Sequence, residues 1–109
     1  VRDANDAISV VDLSGRFLAW NPAAERLYGY SEQEALAFGL EAIVPEEDQA
    51  AARALVERVR QGERLPPQPV RRRTKDGKEL NVWLTLSLLI DESGAPKAVS
   101  STECPIDPE

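Results

Sequence analysis

The chain has 109 residues, 42% of them hydrophobic and 29% charged, which is the composition of an ordinary globular domain with room for one core. The formal net charge of −6 argues against nucleic acid or an anionic membrane surface as the main partner. The chain contains no histidine, which excludes Ser–His or Cys–His nucleophilic catalysis and imidazole ligation of a metal or haem.

The single cysteine, Cys104, excludes an internal disulfide and fits a reducing compartment, so we expect a cytoplasmic location. No apolar run approaches the roughly 20 residues that span a bilayer, so we expect no direct membrane contact. Val1 in place of Met indicates a piece of a longer protein. We therefore interpret residues 1–109 as one domain with a core at about 7–106, and residues 107–109 as the start of a C-terminal linker.

The first part of the chain predicts two short strands and a short helix. Alternating apolar residues indicate strands at Ala7–Asp12 and Arg16–Trp20, joined by a tight turn into an antiparallel hairpin. Asn21 can cap a helix, and Pro22 suits its first position because the N–H that proline lacks is not needed there. Gly29 can adopt the left-handed conformation that ends this helix.

The middle of the chain predicts two further helices. Ser31 and Glu34 have the spacing of a capping box. Pro45 and the acidic residues after it open a longer helix. Its apolar positions at i, i+3, i+4 and i+7 are Ala52, Leu55, Val56 and Val59. Gly62 ends this helix, and the proline-rich residues 65–69 predict a stiff crossing.

The last third predicts three strands. Val70–Thr74 and Leu80–Ile90 flank Asp76-Gly77, a strong two-residue hairpin signal, and Lys97–Cys104 is the final strand. Every even position from 80 to 90 is aliphatic, so one face of that strand must be core. Strands at both ends with helices between them predict an α+β antiparallel sheet with helices on one face.

The order of these turn and cap residues resembles the PAS (sensory box) family. The resemblance is carried by Asp12, Gly15, Asn21, Ala23, Gly29, Tyr30 and Ser31, and by Lys75-Asp76-Gly77 before the long strand. Each residue alone is only a turn or a cap, but their order and spacing together are specific, and the match runs from about Ala7 to Ile106. It implies a PAS-like, five-stranded antiparallel sheet with short helices packed on one face and a cavity between the layers.

The resemblance also implies which residues would line that cavity. The matching positions are Val10, Trp20, Tyr28, Leu36, Ile43, Leu55, Val56 and Leu84. No Arg or Lys is among them, so we expect any ligand there to be a small apolar or aromatic molecule. The alternative is that these side chains only fill the core.

We predict no cofactor. Light-sensing flavin relatives of PAS carry a reactive cysteine in a helix whose equivalent here is Phe38–Asp48, which contains none. Haem-binding relatives use a histidine, which this chain lacks. A non-covalent small molecule stays open.

The face of the long strand that bears Trp83 and Leu89, with Val99 nearby, predicts an interface. In PAS proteins this face packs on an N-terminal helix, a second copy or a neighbouring domain, so we expect a homodimer or an intramolecular contact there. The basic run Arg71–Arg73 lacks interleaved aromatic residues, so we interpret it as the solvated end of an edge strand and not as a nucleic-acid site.

The resemblance implies a non-catalytic sensory module of a cytoplasmic signalling protein, such as a sensor histidine kinase of a two-component system or a cyclic-dinucleotide enzyme. A ligand-free dimerisation or protein-interaction module is the alternative. Family members often end with Asp-Ile-Thr, where the Asp ties the last strand to the outgoing segment. Here Pro105, Ile106 and Asp107 stand in that region, so Asp107 would have to make the contact from a shifted position.

Overall fold

A five-stranded antiparallel sheet forms one layer of the structure, a computed structural model that describes residues 6–106. The strands are β1 (Ala7–Asp12), β2 (Phe17–Trp20), β3 (Gln68–Arg73), β4 (Glu79–Ile90) and β5 (Pro96–Pro105), in the spatial order β2-β1-β5-β4-β3. The predicted fold class is confirmed: the sheet is antiparallel throughout, and the long strand β4 lies next to its centre.

The second layer consists of short helices packed on one face of the sheet, which we call the inner face. They are α1 (Pro22–Tyr28), α2 (Glu32–Ala35) and α3 (Gln49–Arg60), with single 3₁₀ turns at Leu40–Ala42 and Glu46–Asp48. The predicted start and stop signals are confirmed: Gly29 has a φ of 86°, and Ser31 and Glu34 form a complete capping box. The segment after Pro45 first makes a 3₁₀ turn, so α3 itself begins at Gln49.

The side chain of Asn21 connects the start of α1 to the start of β1. Its Oδ1 accepts hydrogen bonds from the backbone N–H of Ala24 (2.9 Å) and of Ile8 (3.0 Å). Its Nδ2 donates to the carbonyl oxygen of Asp6 at 3.1 Å. Asn21 is therefore both the predicted helix cap and a tertiary contact that sequence spacing did not indicate.

We expect Asn21→Ala to lower the free energy of unfolding by an amount near the top of the cap range of about 0.5–2 kcal/mol. The reason is that this change removes the α1 cap together with the two contacts to the β1 end. Ser31→Ala, which removes the cap of the four-residue helix α2, is the matched control and should cost less. Urea unfolding of both variants measures the difference, and equal losses would contradict the role of the β1 contacts.

Two residues, Val10 and Val99, point to the opposite face of the sheet from the one predicted. Val11, Val99 and Leu88 form one row across β1, β5 and β4 and face the helices, and Val99 is 0% exposed. Val10 pairs with Ser100 in the adjacent row and points to the opposite face, which we call the outer face. The predictions that Val10 lines the inner cavity and that Val99 lies on the outer face are therefore both wrong. Each belongs to an adjacent apolar pair, so alternation alone could not assign its face.

The strand β3 begins earlier than predicted, since Gln68 and Pro69 already pair with β4. Proline is tolerated there because β3 is at the edge of the sheet, where one side of the strand needs no N–H donor. Among the helices between residues 6 and 106, none is long and apolar enough to cross a membrane.

Candidate functional site

Four polar side chains meet inside the apolar layer between sheet and helices. Arg72 comes from β3, Glu103 and Ser101 come from β5, and Tyr28 comes from the end of α1. All four are buried, with Arg72 only 4% and Glu103 only 3% exposed. We call this group the buried polar cluster. It joins the edge strand, the last strand and the first helix at one point.

Glu103 is the centre of the buried polar cluster. Its Oε1 accepts a hydrogen bond from the hydroxyl of Tyr28, and its Oε2 accepts one from Ser101 Oγ at 3.0 Å. The Nε of Arg72 lies 3.5 Å from the same Oε2, an ion-pair distance that does not amount to a hydrogen bond. The Glu103 charge is thus balanced by Arg72 and further stabilised by two hydroxyl donors.

Strand alternation explains why Arg72 is inside. Val70 pairs with Val82, which is 0% exposed on the inner face, and Arg72 lies two residues further along β3 on the same side. The prediction that Arg71–Arg73 form a solvated strand end is therefore wrong for Arg72, although β3 is an edge strand as expected. Arg71, on the other side, pairs with Glu47 at 3.1 Å and Asp48 at 3.0 Å.

The buried polar cluster changes the acidity of Tyr28. Burial raises the pKa of the Tyr28 phenol well above its ordinary value of 10.0, and the charge of Glu103 and its hydrogen bond raise it further. A neutral phenol is therefore the form that the folded protein holds, because an ionised one would lie unsolvated beside a carboxylate.

This raised pKa predicts a loss of stability in alkali. Above about pH 10 the unfolded chain releases the Tyr28 proton while the folded chain keeps it, so the free energy of unfolding falls as pH rises from the unfolded pKa toward the folded one. We expect Tyr28→Phe to show a smaller decline, and Tyr30→Phe, which changes the other tyrosine, to keep the decline of the parent. Urea unfolding at several pH values measures it; equal declines in all three proteins would contradict the assignment.

Next to the buried polar cluster, a groove with a volume of about 670 Å³ lies between α3 and β3. Its lining residues are Asp48, Ala51, Ala52, Ala54, Leu55, Arg58, Gln68, Pro69, Val70, Arg71, Arg72, Asn81 and Ile106. Arg72 is therefore shared between the groove and the buried polar cluster. Ile106, which directly follows β5, lines the same groove.

The residues predicted to line a cavity do not surround one common space. Core positions are occupied by Trp20, Tyr28, Ile43, Val56 and Leu84, all buried. Leu55 is partly buried and lines the groove, whereas Leu36 at the end of α2 is 38% exposed and Val10 is on the outer face. The placement of these residues indicates that most of them pack the core.

The outer face carries two of the three predicted interface residues. Trp83 is 47% exposed and Leu89 is 38% exposed, both in positions of β4 that alternate with the buried ones. Ile8 and Leu18 are also exposed large apolar residues. Cys104 pairs with Trp83 in the strand register and thus shares this face.

The placement of Cys104 bears on cofactors. The resemblance implies that a covalent flavin would need a thiol in the segment Phe38–Asp48, but that segment contains no cysteine and Cys104 lies on β5. The chain therefore does not fit that group. In residues 6–106, no group of three or more His, Cys, Asp or Glu side chains is arranged to hold a metal ion.

An antiparallel five-stranded sheet covered on one face by short helices is the α+β architecture that the resemblance to the PAS family implies. The PAS fold family model matches residues 1–102. The PAS domain of a protein from Colwellia psychrerythraea has a TM-score of 0.84 at 24% identity, over 93% of this chain and 86% of that chain. This chain belongs to the PAS family.

Two other solved structures show the range of similar proteins. A domain of a sensory box sensor histidine kinase/response regulator from Geobacter sulfurreducens has a TM-score of 0.78 at 28% identity, over 94% of this chain and 84% of that chain. A LOV protein from Rhodobacter sphaeroides has a TM-score of 0.76 at 21% identity, over 94% of this chain and 60% of that chain, and shows the fold alone. None of the curated proteins matches this chain.

Sequence reasoning missed Arg72 and Glu103 as interior residues. The signal for Glu103 was available once Val99 was placed on the inner face, because Ser101 and Glu103 follow at intervals of two. Arg72 could have been found from Val70 in the same way. In β3 the run of three basic residues suggested a solvated strand end, and this outweighed the alternation of the strand.

Proposed function

We propose that this chain is the signal-input module of a cytoplasmic signalling protein, such as a sensor histidine kinase or a cyclic-dinucleotide enzyme. It binds a small molecule in the groove between α3 and β3 and catalyses no reaction itself. The similarity to a domain of a sensory box sensor histidine kinase supports the kind of parent protein. The single cysteine supports a reducing compartment.

The observation that carries this proposal is the shared position of Ile106 and Arg72 in the lining of one groove. The N–H of Ile106 donates to the carbonyl oxygen of Asn81 at 2.9 Å, which fixes the residue where the chain leaves β5. A ligand in the groove would contact this exit residue and Arg72 together. If the exit residue has two positions, a ligand shifts the population between them only when it binds one of the two more tightly than the other.

The experiment compares small molecules that co-purify with three forms of the chain, by native and denaturing mass spectrometry. Ala54→Trp places an indole in the groove, because Ala54 is exposed and lines it. Ala50→Trp is the matched control, since Ala50 is exposed on the same helix outside the groove lining. We expect the parent chain and Ala50→Trp to release a bound molecule and Ala54→Trp to release none. No bound molecule in the parent, or equal retention in Ala54→Trp, would overturn the proposal.

The alternative is a ligand-free interaction module that acts through the outer face, as a homodimer or against a neighbouring domain. It is favoured by the exposure of Trp83 and Leu89, two large apolar side chains on one sheet face. Sedimentation of the parent chain and of Trp83→Glu tests it. A dimer that Trp83→Glu converts to a monomer would support this function; a monomeric parent at high concentration would contradict the homodimer.

A further inference from the structure

We infer that the groove ligand is an apolar molecule carrying a carboxylate, and that Arg72 is the residue that binds this carboxylate. The inference rests on the proposed function, because it names the chemical class of the molecule in the same groove. It replaces the sequence-based expectation of an uncharged ligand, which depended on the absence of Arg and Lys from the cavity wall.

The guanidinium of Arg72 has unused hydrogen-bonding capacity in a buried place. Its Nη1 donates to the carbonyl oxygen of Arg71 at 2.9 Å, while its Nε is buried and has no hydrogen-bond partner among residues 6–106. Guanidinium has five N–H donors in a planar fork that matches a carboxylate. The facing oxygens of Glu103 already accept from Tyr28 and Ser101. Arg72 and Glu103 are thus paired by charge at 3.5 Å without a hydrogen bond, and a ligand carboxylate would bind donors of Arg72 that this pair does not use.

The other two arginines of the groove are engaged. Arg58 makes a two-point contact with Glu63, at 3.0 and 2.5 Å. Arg71 makes a two-point contact with Asp48, at 3.0 and 3.1 Å. Asp48 also lines the groove, but its charge is balanced by Arg71. Arg72 pairs with Glu103 at 3.5 Å without a hydrogen bond to it, so of these three arginines it has the most donors open to an anion.

The rest of the groove suits an apolar body. Ala51, Leu55 and Val70 lie on its two walls, α3 and β3. Arg72 is at the buried side of the groove, with its side chain only 5% exposed. A charge-assisted pair is stronger in such a place than in water, because water does not compete for the donors. An alkyl or aryl monocarboxylate would place its carboxylate against Arg72 and its apolar body against these side chains.

The test uses three probes of one chain length: octanoate, 1-octanol and octylamine, titrated into the chain by calorimetry. We expect octanoate to bind at least about ten-fold more tightly than 1-octanol, as one charge-assisted contact would provide. Arg72→Lys, which keeps the charge but loses the planar fork, should reduce that ratio several-fold. Arg60→Gln, the matched control at an arginine of α3 that pairs with Glu57 and lies outside the groove lining, should leave it unchanged. Ala54→Trp should abolish octanoate binding.

Equal affinity for octanoate and 1-octanol, or a preference for octylamine, would overturn the inference and leave the proposed function standing. An unchanged ratio in Arg72→Lys would also overturn it, because the selectivity would then come from another residue. If no probe binds, the carboxylate inference falls, and the proposed function is judged separately by the molecule that co-purifies with the parent chain.

Discussion

Glu103→Leu is expected to lower the free energy of unfolding by about 3–5 kcal/mol, the usual cost of breaking a buried ion pair by removing one partner. The change leaves the guanidinium of Arg72 buried with no opposite charge, since Glu103 is its ion-pair partner at 3.5 Å. It also removes the acceptor for the hydroxyls of Tyr28 and Ser101. Urea unfolding measures the loss.

The double variant Arg72→Met/Glu103→Leu distinguishes an uncompensated charge from simple loss of packing. An apolar pair of similar volume should recover most of the stability, because no unpaired charge remains inside. Glu63→Gln breaks the exposed pair with Arg58 and serves as the surface control, with little expected change. If the double variant is as unstable as Glu103→Leu, the loss does not come from the unpaired charge.

Trp20→Ala is expected to cost about 3–5 kcal/mol, as is typical when a large aromatic residue is truncated in a core. The Trp20 ring is 5% exposed and packs edge-on against Phe17, with a centroid distance of 4.8 Å. Its Nε1 donates to the carbonyl oxygen of Tyr30 at 2.9 Å, so the change also leaves an acceptor without its donor.

Leu18→Ala is the control for Trp20→Ala, because Leu18 lies on the same strand and is 52% exposed. Its loss should be much smaller, since little buried area disappears. Thermal and urea unfolding of both variants make the comparison. Similar losses at the two positions would contradict the assignment of Trp20 to the core, and would revive its predicted role as the lining of an open cavity.

The element order followed from the sequence because each junction has a local signal. The Asn21 cap, the left-handed Gly29 and the Asp76-Gly77 turn depend on backbone chemistry within a few residues, and the structure contains all three. The turn is longer than the predicted two-residue hairpin, since Arg73 and Glu79 form the last strand pair before it and the N–H of Gly77 donates to the carbonyl oxygen of Thr74 at 3.0 Å. The extent of β4 was also predicted well, because every even position from 80 to 90 is aliphatic: the predicted strand is Leu80–Ile90 and the observed strand is Glu79–Ile90.

The site was less predictable because it depends on strand faces and on contacts between distant elements. Val10 and Val99 each have an apolar neighbour on the chain, so only the register between β1, β5 and β4 assigns their faces. Arg72 and Glu103 are 31 positions apart in the sequence and meet because β3 and β5 flank β4. No pattern within either strand indicates that these two side chains are in contact.

The predicted cavity and the observed groove share Leu55 but lie in different places. The prediction used positions that point from the sheet toward the helices, and Trp20, Ile43 and Val56 occupy those positions as packed core. The groove instead lies between α3 and the edge strand, where Pro69 and Arg71 contribute to the lining. Its position depends on how α3 sits against the edge of the sheet, which sequence periodicity does not fix.

The most direct measurement is the hydrogen-exchange rate of the Ile106 amide, followed by NMR in the parent chain, Ala54→Trp and Ala50→Trp. If occupancy of the groove moves the exit residue, an indole in the groove should displace Ile106 from the carbonyl of Asn81 and speed its exchange, while Ala50→Trp exchanges as the parent does. The same rate in all three proteins would contradict the link between the groove and the exit from β5.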